Sequence, residues 1–356
     1  MDKRRDFIKK IAAAGLLSSI PDFLKPQQFV PAPANKIWAC LLHVSYNMWE
    51  DHNLIEQLVP GIDSNMISRM YDKNLRLSEP LWNDALKKMA NGGMNMVLID
   101  LGDAIKYESH PEIAVKNAWS TTRLKNELAK IRKMGMEPIP KLNFSTAHDT
   151  WLGEYAKMVS TQKYYEVCRD LIAEVVTLFD KPRFFHLGYD EETAGHQKYY
   201  NYVVVRQNEL WWKDFYFFVN EVEKNNARPW IWSDYVWHHP EMFYKKMPKS
   251  VLQSNWYYEE NFDVKQTEVK AYLDLEAHGY DQVPTGGYYE IQKGVVNNDV
   301  SIMKTVQFGE KNISDARLLG FMQTIWRPTL EAYRNRILEG IGLISEAKNW
   351  YHKNHH

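Results

Sequence analysis

The chain predicts an α/β fold of the (β/α)8 TIM-barrel class, and three observations carry that expectation. Beyond about residue 35, apolar β-type runs alternate eight times with stretches of helical periodicity, at about 40 residues per unit. Regular strand–helix alternation requires parallel pairing through right-handed crossovers. The turn after the first strand reads His43-Val44-Ser45-Tyr46 and lacks the glycines that a doubly wound nucleotide-binding sheet places there.

The first strand is expected over 37–46, followed by a long polar loop and a helix over 81–92. A second strand over 94–101 ends at Asp100 and Asp103. Thr122 is placed to cap the next helix, whose apolar residues Leu124, Leu128, Ile131 and Met134 share one face before Gly135 stops it. The third strand runs over 137–144, and a helix over 162–179 leads to the fourth, which starts at Phe184. A helix over 211–225 precedes the fifth strand, 228–234, and a short helix over 240–246 precedes the sixth, 251–258. A helix over 269–279 leads to a weaker seventh strand, 282–289. A helix over 299–312 leads to the eighth, 318–326. The last helix is expected to begin at Pro328, since proline suits a first helical turn, and to run to about Tyr351.

Residues 1–34 are read apart from the barrel, which takes 35–356. Lys3-Arg4-Arg5, a short apolar run from Ile11 to Leu17 and a later Ala32-Pro33-Ala34 have the layout of a twin-arginine export signal. The expected location is therefore periplasmic or extracellular. The apolar run is too short to span a bilayer, so no membrane span is expected in the mature chain. A basic amphipathic first helix is the other reading of the segment.

The full chain of 356 residues carries net charge −1. Residues 1–34 hold six Lys/Arg and three Asp/Glu, so 38 basic and 42 acidic residues remain, a net of −4. That balance argues against a nucleic-acid surface. The two cysteines, Cys40 and Cys168, form neither a disulfide framework nor a metal knuckle, and both fall on expected buried elements. No His-Glu-x-x-His, spaced His-x-His or Gly-x-Ser-x-Gly pattern occurs, so neither a metal nor a cofactor is called for. The unusual feature is aromatic content: 13 Trp, 21 Tyr and 14 Phe. Trp and Tyr build cores, but they also stack on sugar rings.

The fourth strand is the most informative stretch. Phe184-Phe185-His186-Leu187-Gly188-Tyr189 leaves the core directly into Asp190-Glu191-Glu192. In a parallel barrel that exit delivers the acids to the carboxyl-terminal mouth, where the chemistry of such folds sits. Gly188 allows a close backbone approach just before them. Read the same way, the other strand ends bring His43 and Asn47, Asp100 and Asp103, Asn143 and His148, Trp232 and Asp234, Trp256 and Tyr257, Tyr288 and Glu290, and Trp326 to the same mouth. Each residue has a plain structural reading, His43 as a core histidine and the tryptophans as packing layers. Their convergence makes a mouth of acids and indoles without a basic cluster, suited to a neutral polyhydroxylated ligand rather than a phosphate.

These residues resemble glycoside hydrolase family 20, the β-N-acetylhexosaminidases. His186-Leu187-Gly188-Tyr189-Asp190-Glu191 is similar to that family's His-x-Gly-Gly-Asp-Glu motif, with Tyr189 in place of the second glycine. Residues 94–100 resemble its second strand, and 139–148 its Pro-Glu-x-Asp-x-Pro-Gly-His segment. The likeness is densest over 94–192. It implies a retaining reaction in which the substrate's 2-acetamido oxygen attacks the anomeric carbon. Glu191 is then the general acid and base, with a pKa raised by burial among aromatics, and Asp190 orients the acetamido group. Trp256 and Trp326 wall the acetamido pocket, and Tyr257 or Tyr288 donates to its carbonyl. His43, Asp100, Asn143, His148, His186 and Trp232 complete the expected substrate-binding set. Three departures stand out: no arginine lies among 43–47, Asn143 replaces a third-strand aspartate, and Arg327-Pro328 follows Trp326 where a glutamate is expected. A glycan-binding barrel without hydrolysis, or a metal-dependent hydrolase using Asp100, Asp190 and Glu191, are the alternatives.

Overall fold

Among the described residues, eight barrel strands, all parallel, run in the expected order. A computed structural model describes residues 35–52, 64–288 and 298–354, so the expected export signal and Glu290 lie outside the described residues. The barrel strands are β1 (Ile37–His43), β2 (Met96–Asp100), β3 (Glu137–Lys141), β4 (Phe184–His186), β5 (Arg228–Trp232), β6 (Leu252–Ser254), β7 (Thr285–Gly287) and β8 (Gly320–Thr324). Their spatial order is β6-β5-β4-β3-β2-β1-β8-β7. Bridges from Gln253 to Gln282 and from Trp256 to Thr285 join the two ends and close the cylinder.

A helix follows each strand: α1 (Glu79–Asn91), α2 (Thr121–Lys133), α3 (Gln162–Leu178), α4 (Asn208–Lys224), α5 (Pro240–Lys246), α6 (Thr267–Ala277), α7 (Ser301–Asn312) and α8 (Arg334–Lys353). Side-chain oxygens of Ser78, Ser120 and Thr161 accept from the first-turn amides of α1, α2 and α3. The cap of α2 is thus Ser120 and not Thr122, which lies within the helix. The last helix starts at Arg334, six residues after Pro328. Thr329 Oγ1 donates to the carbonyl of His43 at 2.6 Å, which ties the intervening segment across the mouth before the helix can begin. A small parallel ribbon, Ile105–Lys106 against Trp119–Ser120, decorates the β2–α2 loop and was not expected.

Side chains alternate along the strands. On β1, Ile37, Ala39 and Leu41 join the inner cluster with Met96, Leu98, Ile139, Trp230 and Leu252, while Trp38, Cys40 and Leu42 face the helices. Cys40 and Cys168 are both buried free thiols. Strand β7 is weak in sequence because α7 lies directly on it: a Cβ at Gly286 would stand 2.6 Å from Ile302 Cα. Among the described residues no helix is long and apolar enough to cross a membrane.

The register aligns the polar ends. His43 pairs with Asp100, Asp100 with Lys141, and Lys141 with His186, so four consecutive strands present one row of polar residues below the mouth.

Candidate active site

The acidic turn after β4 is held by its neighbours. Gly188, Tyr189 and Glu191 take left-handed backbone with φ of 69°, 71° and 53°. At Gly188 this is obligatory twice over, since a Cβ there would stand 2.0 Å from Asn143 Oδ1. That carboxamide splices two loops. Its Oδ1 accepts from the amides of Ser145 (3.0 Å) and Tyr189 (3.1 Å), and its Nδ2 donates to Asp190 Oδ1 at 2.9 Å. Tyr189 turns its ring outward against Trp211 and Phe215, with the Arg206 guanidinium 4.7 Å from the ring centre. Burial of the ring offsets the left-handed strain. The third acid, Glu192, is structural: it pairs at 2.7 Å with Arg206, which also meets Asp214 at 3.2 Å, in a fully enclosed network.

Asp190 and Glu191 face a cavity of about 180 Å³ at the mouth. His148 Nε2 lies 3.2 Å from Glu191 Oε2 and 3.5 Å from Asp190 Oδ2, and His196 Nε2 lies 3.4 Å from Glu191 Oε2. Glu191's amide donates to Asp234 Oδ2 at 2.9 Å. Burial pushes Asp190 up, and the opposing His148 charge does not cancel it. Asp234 is driven well above the ordinary carboxylate range, first by burial and then by the facing Asp190. Burial also pushes Glu191 up, but the hydrogen bonds from His148 and His196 outweigh it and hold that carboxyl low. The expected raised pKa of Glu191 is therefore corrected. Its counterpart is His196, which the Glu191 carboxylate raises above 6.5.

Indoles make the wall. Trp232, Trp256 and Trp326 all line the cavity, Trp232 and Trp326 with ring centres 5.8 Å apart. The tyrosine beside them is Tyr258, which stacks on Trp256 at 4.9 Å and accepts from Trp326 Nε1 at 3.1 Å. Tyr257, one residue earlier, points to the opposite side against Phe262. Tyr288 donates to Glu339 on α8 at 2.5 Å, and Arg336 covers its ring. Neither expected tyrosine lines the cavity. Strand alternation would have selected Tyr258, two residues from Trp256 and on the same face.

His43, Asp100 and His186 sit one layer below the cavity. Lys141, completely enclosed, donates to Asp100 Oδ2 at 2.6 Å, and His43 Nδ1 lies 3.4 Å from the same oxygen. Burial pushes Asp100 up, but Lys141 and His43 overcome it and leave the carboxyl below its usual range. Burial first, and Lys141 second, keep His186 well below 6.5, consistent with its Nδ1 accepting from the Gly188 amide at 3.0 Å. These residues form a floor and do not line the cavity. Asn143 likewise acts through Asp190. Trp49, Glu50, Arg69 and His196, absent from the sequence-derived set, line the cavity from the loops after β1 and β4. Arg327 turns aside, donating to the Trp326 carbonyl at 2.8 Å.

Among the described residues, His148, Asp190 and Glu191 are the group whose ligand atoms, all within 4.8 Å of one another, could hold a metal ion. Asp100 is committed to Lys141 instead. Chemically, the arrangement offers two adjacent acids with unequal proton affinities, two imidazoles, and an indole-walled recess.

A closed parallel barrel with its acids and indoles at the carboxyl-terminal mouth is the class these observations define. No protein-family model matches the sequence, and no curated protein matches it by sequence comparison. Solved structures do resemble it. An exo-β-N-acetylglucosaminidase of glycoside hydrolase family 20 from Vibrio harveyi superposes with TM-score 0.59 at 13% identity, over 88% of this chain and 54% of that one. A β-N-acetylhexosaminidase from Bacteroides fragilis gives 0.57 at 12%, over 90% and 71%. Dispersin B gives 0.55 at 13%, over 88% and 100%. The chain spans about half the length of the Vibrio enzyme, and at these identities the likeness establishes the shared barrel fold.

Proposed function

We propose that the protein is a glycoside hydrolase acting on β-linked N-acetylhexosamine or a close relative, with carbohydrate as its substrate. One observation carries this reading: Asp190 and Glu191 stand side by side on a cavity walled by Trp232, Trp256 and Trp326. The hexosaminidase activity of the structural neighbours supports it. In this reading the 2-acetamido oxygen is the internal nucleophile. Asp190, fixed by Asn143, holds the acetamido N–H and stabilises the positive charge that develops beside it. Glu191 protonates the departing oxygen and then activates water.

The low proton affinity of Glu191 in the free site shapes the proton path. Glu191 and His196 share one proton, which rests on the imidazole until sugar fills the recess and excludes water. The proton then passes to Glu191, where the leaving oxygen is. The same low affinity favours a second reading, a glycan-binding barrel that no longer hydrolyses. A panel of aryl 2-acetamido-2-deoxy-β-glycosides and their 2-hydroxy counterparts separates them. Release of phenol from the acetamido set supports hydrolysis with substrate assistance. Turnover confined to the 2-hydroxy set removes the internal nucleophile, and binding of the acetamido set without turnover favours the second reading.

We also propose export through the twin-arginine route, on the strength of residues 1–34 alone. Cell fractionation of the full chain against an Arg4→Lys/Arg5→Lys variant tests it. Retention of the variant inside the cell is the expected result.

A further inference from the structure

The loop after β1 brings Trp49, Glu50 and Arg69 to the cavity. Trp49 joins this group to the rest of the site: its ring meets His148 edge-on at 4.7 Å and Trp326 at 5.9 Å, and the Arg69 guanidinium carbon lies 4.5 Å from its centre. Glu50 is 6% exposed, and its Oε2 is buried without a hydrogen-bond partner. A buried carboxyl oxygen left unsatisfied carries a desolvation cost, which a ligand donor removes once a turn of the Glu50 carboxyl brings that oxygen to the cavity its residue lines. Burial pushes the Glu50 carboxyl up to about 7, against the pull of Arg69.

From this geometry we infer that Glu50 and Arg69 are the residues that read the hydroxyl groups of the bound sugar, and so set which sugar the site accepts. This rests on the carbohydrate reading above and deepens it. A hydroxyl is both donor and acceptor, and the pair offers an acceptor in Glu50 and a fork of donors in Arg69. Among the described lining residues Arg69 is the one Lys/Arg, set among Glu50, Asp190, Glu191 and the imidazoles of His148 and His196, a mixed polar set without the basic cluster that a phosphate or sulfate group calls for. A cavity of about 180 Å³ is smaller than the roughly 300–1,000 Å³ of sites for drug-sized ligands, and it suits one sugar ring. Glu50 and Arg69 bind and select; Asp190 and Glu191 carry out the chemistry.

Calorimetry of N-acetylglucosamine and its 3-, 4- and 6-deoxy analogues against the full chain tests the inference. Arg69→Met and Glu50→Ala are each expected to weaken N-acetylglucosamine binding about 10-fold or more, the loss of a charge-assisted hydrogen bond. Each loss is expected to shrink to less than about 2-fold on the one deoxy analogue that lacks the hydroxyl being read, as coupled partners require. Arg69→Lys and Glu50→Gln, which keep bulk at the site, are the variants of choice if the larger truncations unfold. Arg69→Lys is expected to lose affinity because a point charge does not replace a planar fork. Wild type that binds sugar while folded variants bind it equally well overturns this inference and leaves the carbohydrate reading intact. Wild type that binds none of these sugars overturns both.

Discussion

Replacing Gly188 by alanine probes how the acid pair is held. The new Cβ would stand 2.0 Å from Asn143 Oδ1 and 2.1 Å from its Cγ. A comfortable contact is about 3.5 Å, so the carboxamide must retreat by about 1.5 Å. That retreat breaks its bonds to Asp190, Tyr189 and Ser145. Three hydrogen bonds at about 1 kcal/mol each, with about 1–2 kcal/mol for forcing alanine into left-handed backbone, give a loss of about 4–5 kcal/mol in stability. Asp190 would shift with its partner, and a displacement of about 1 Å at a reacting centre costs about 100-fold in rate. Urea unfolding and initial rates on an aryl β-N-acetylglucosaminide measure the two effects. The decisive control is the same substitution in an Asn143→Ala background, where the clash is gone and about 1–2 kcal/mol of strain remains. An equal stability loss in both backgrounds would refute this reasoning.

Two further outcomes are expected. Arg206→Met leaves Glu192 and Asp214 buried without their cation, and urea unfolding should show a loss of about 3–5 kcal/mol; a change below about 1 kcal/mol would show that water reaches the network. If the proton that Glu191 delivers rests on His196 in the free site, as proposed, kcat/KM should decline on the alkaline side as pH rises through His196's pKa, which lies above 6.5. In His196→Gln that limb should move to lower pH, toward the ordinary glutamate range near about 4.3, and an unmoved limb would remove His196 from the proton path.

Much of the architecture was legible because hydrophobic periodicity is local. Eight apolar runs, each followed by a helical face, fix the barrel, and the abrupt exit of β4 into Asp190 and Glu191 marks the mouth. What sequence reading missed depends on partners distant in the chain. Lys141, a residue of the third strand to which sequence reading assigned no role, is enclosed in an ion pair with Asp100, 41 residues away. The proton affinity of Glu191 was expected from burial alone, yet His148 and His196 reverse it. Arg69 and Glu50 arrive from the polar segment between β1 and α1, Arg69 as the last residue of a six-residue helix, Ser64–Arg69, too short to give a periodic signal. The start of the last helix was misplaced because Pro328 satisfies the local rule, while the bond from Thr329 to His43 delays the helix. Only the choice of Tyr257 over Tyr258 could have been corrected from the sequence, by the two-residue alternation that follows from Trp256.

A crystal structure with a bound N-acetylglucosamine-thiazoline tests the central claim most directly, since that bicyclic ring mimics the intermediate in which the acetamido oxygen has closed on the anomeric carbon. The ring should sit among Trp232, Trp256 and Trp326, its nitrogen within hydrogen-bond reach of Asp190 and Glu191 near the departing-group side. An inhibitor found away from these two acids, or no binding at saturating concentration, would contradict the account.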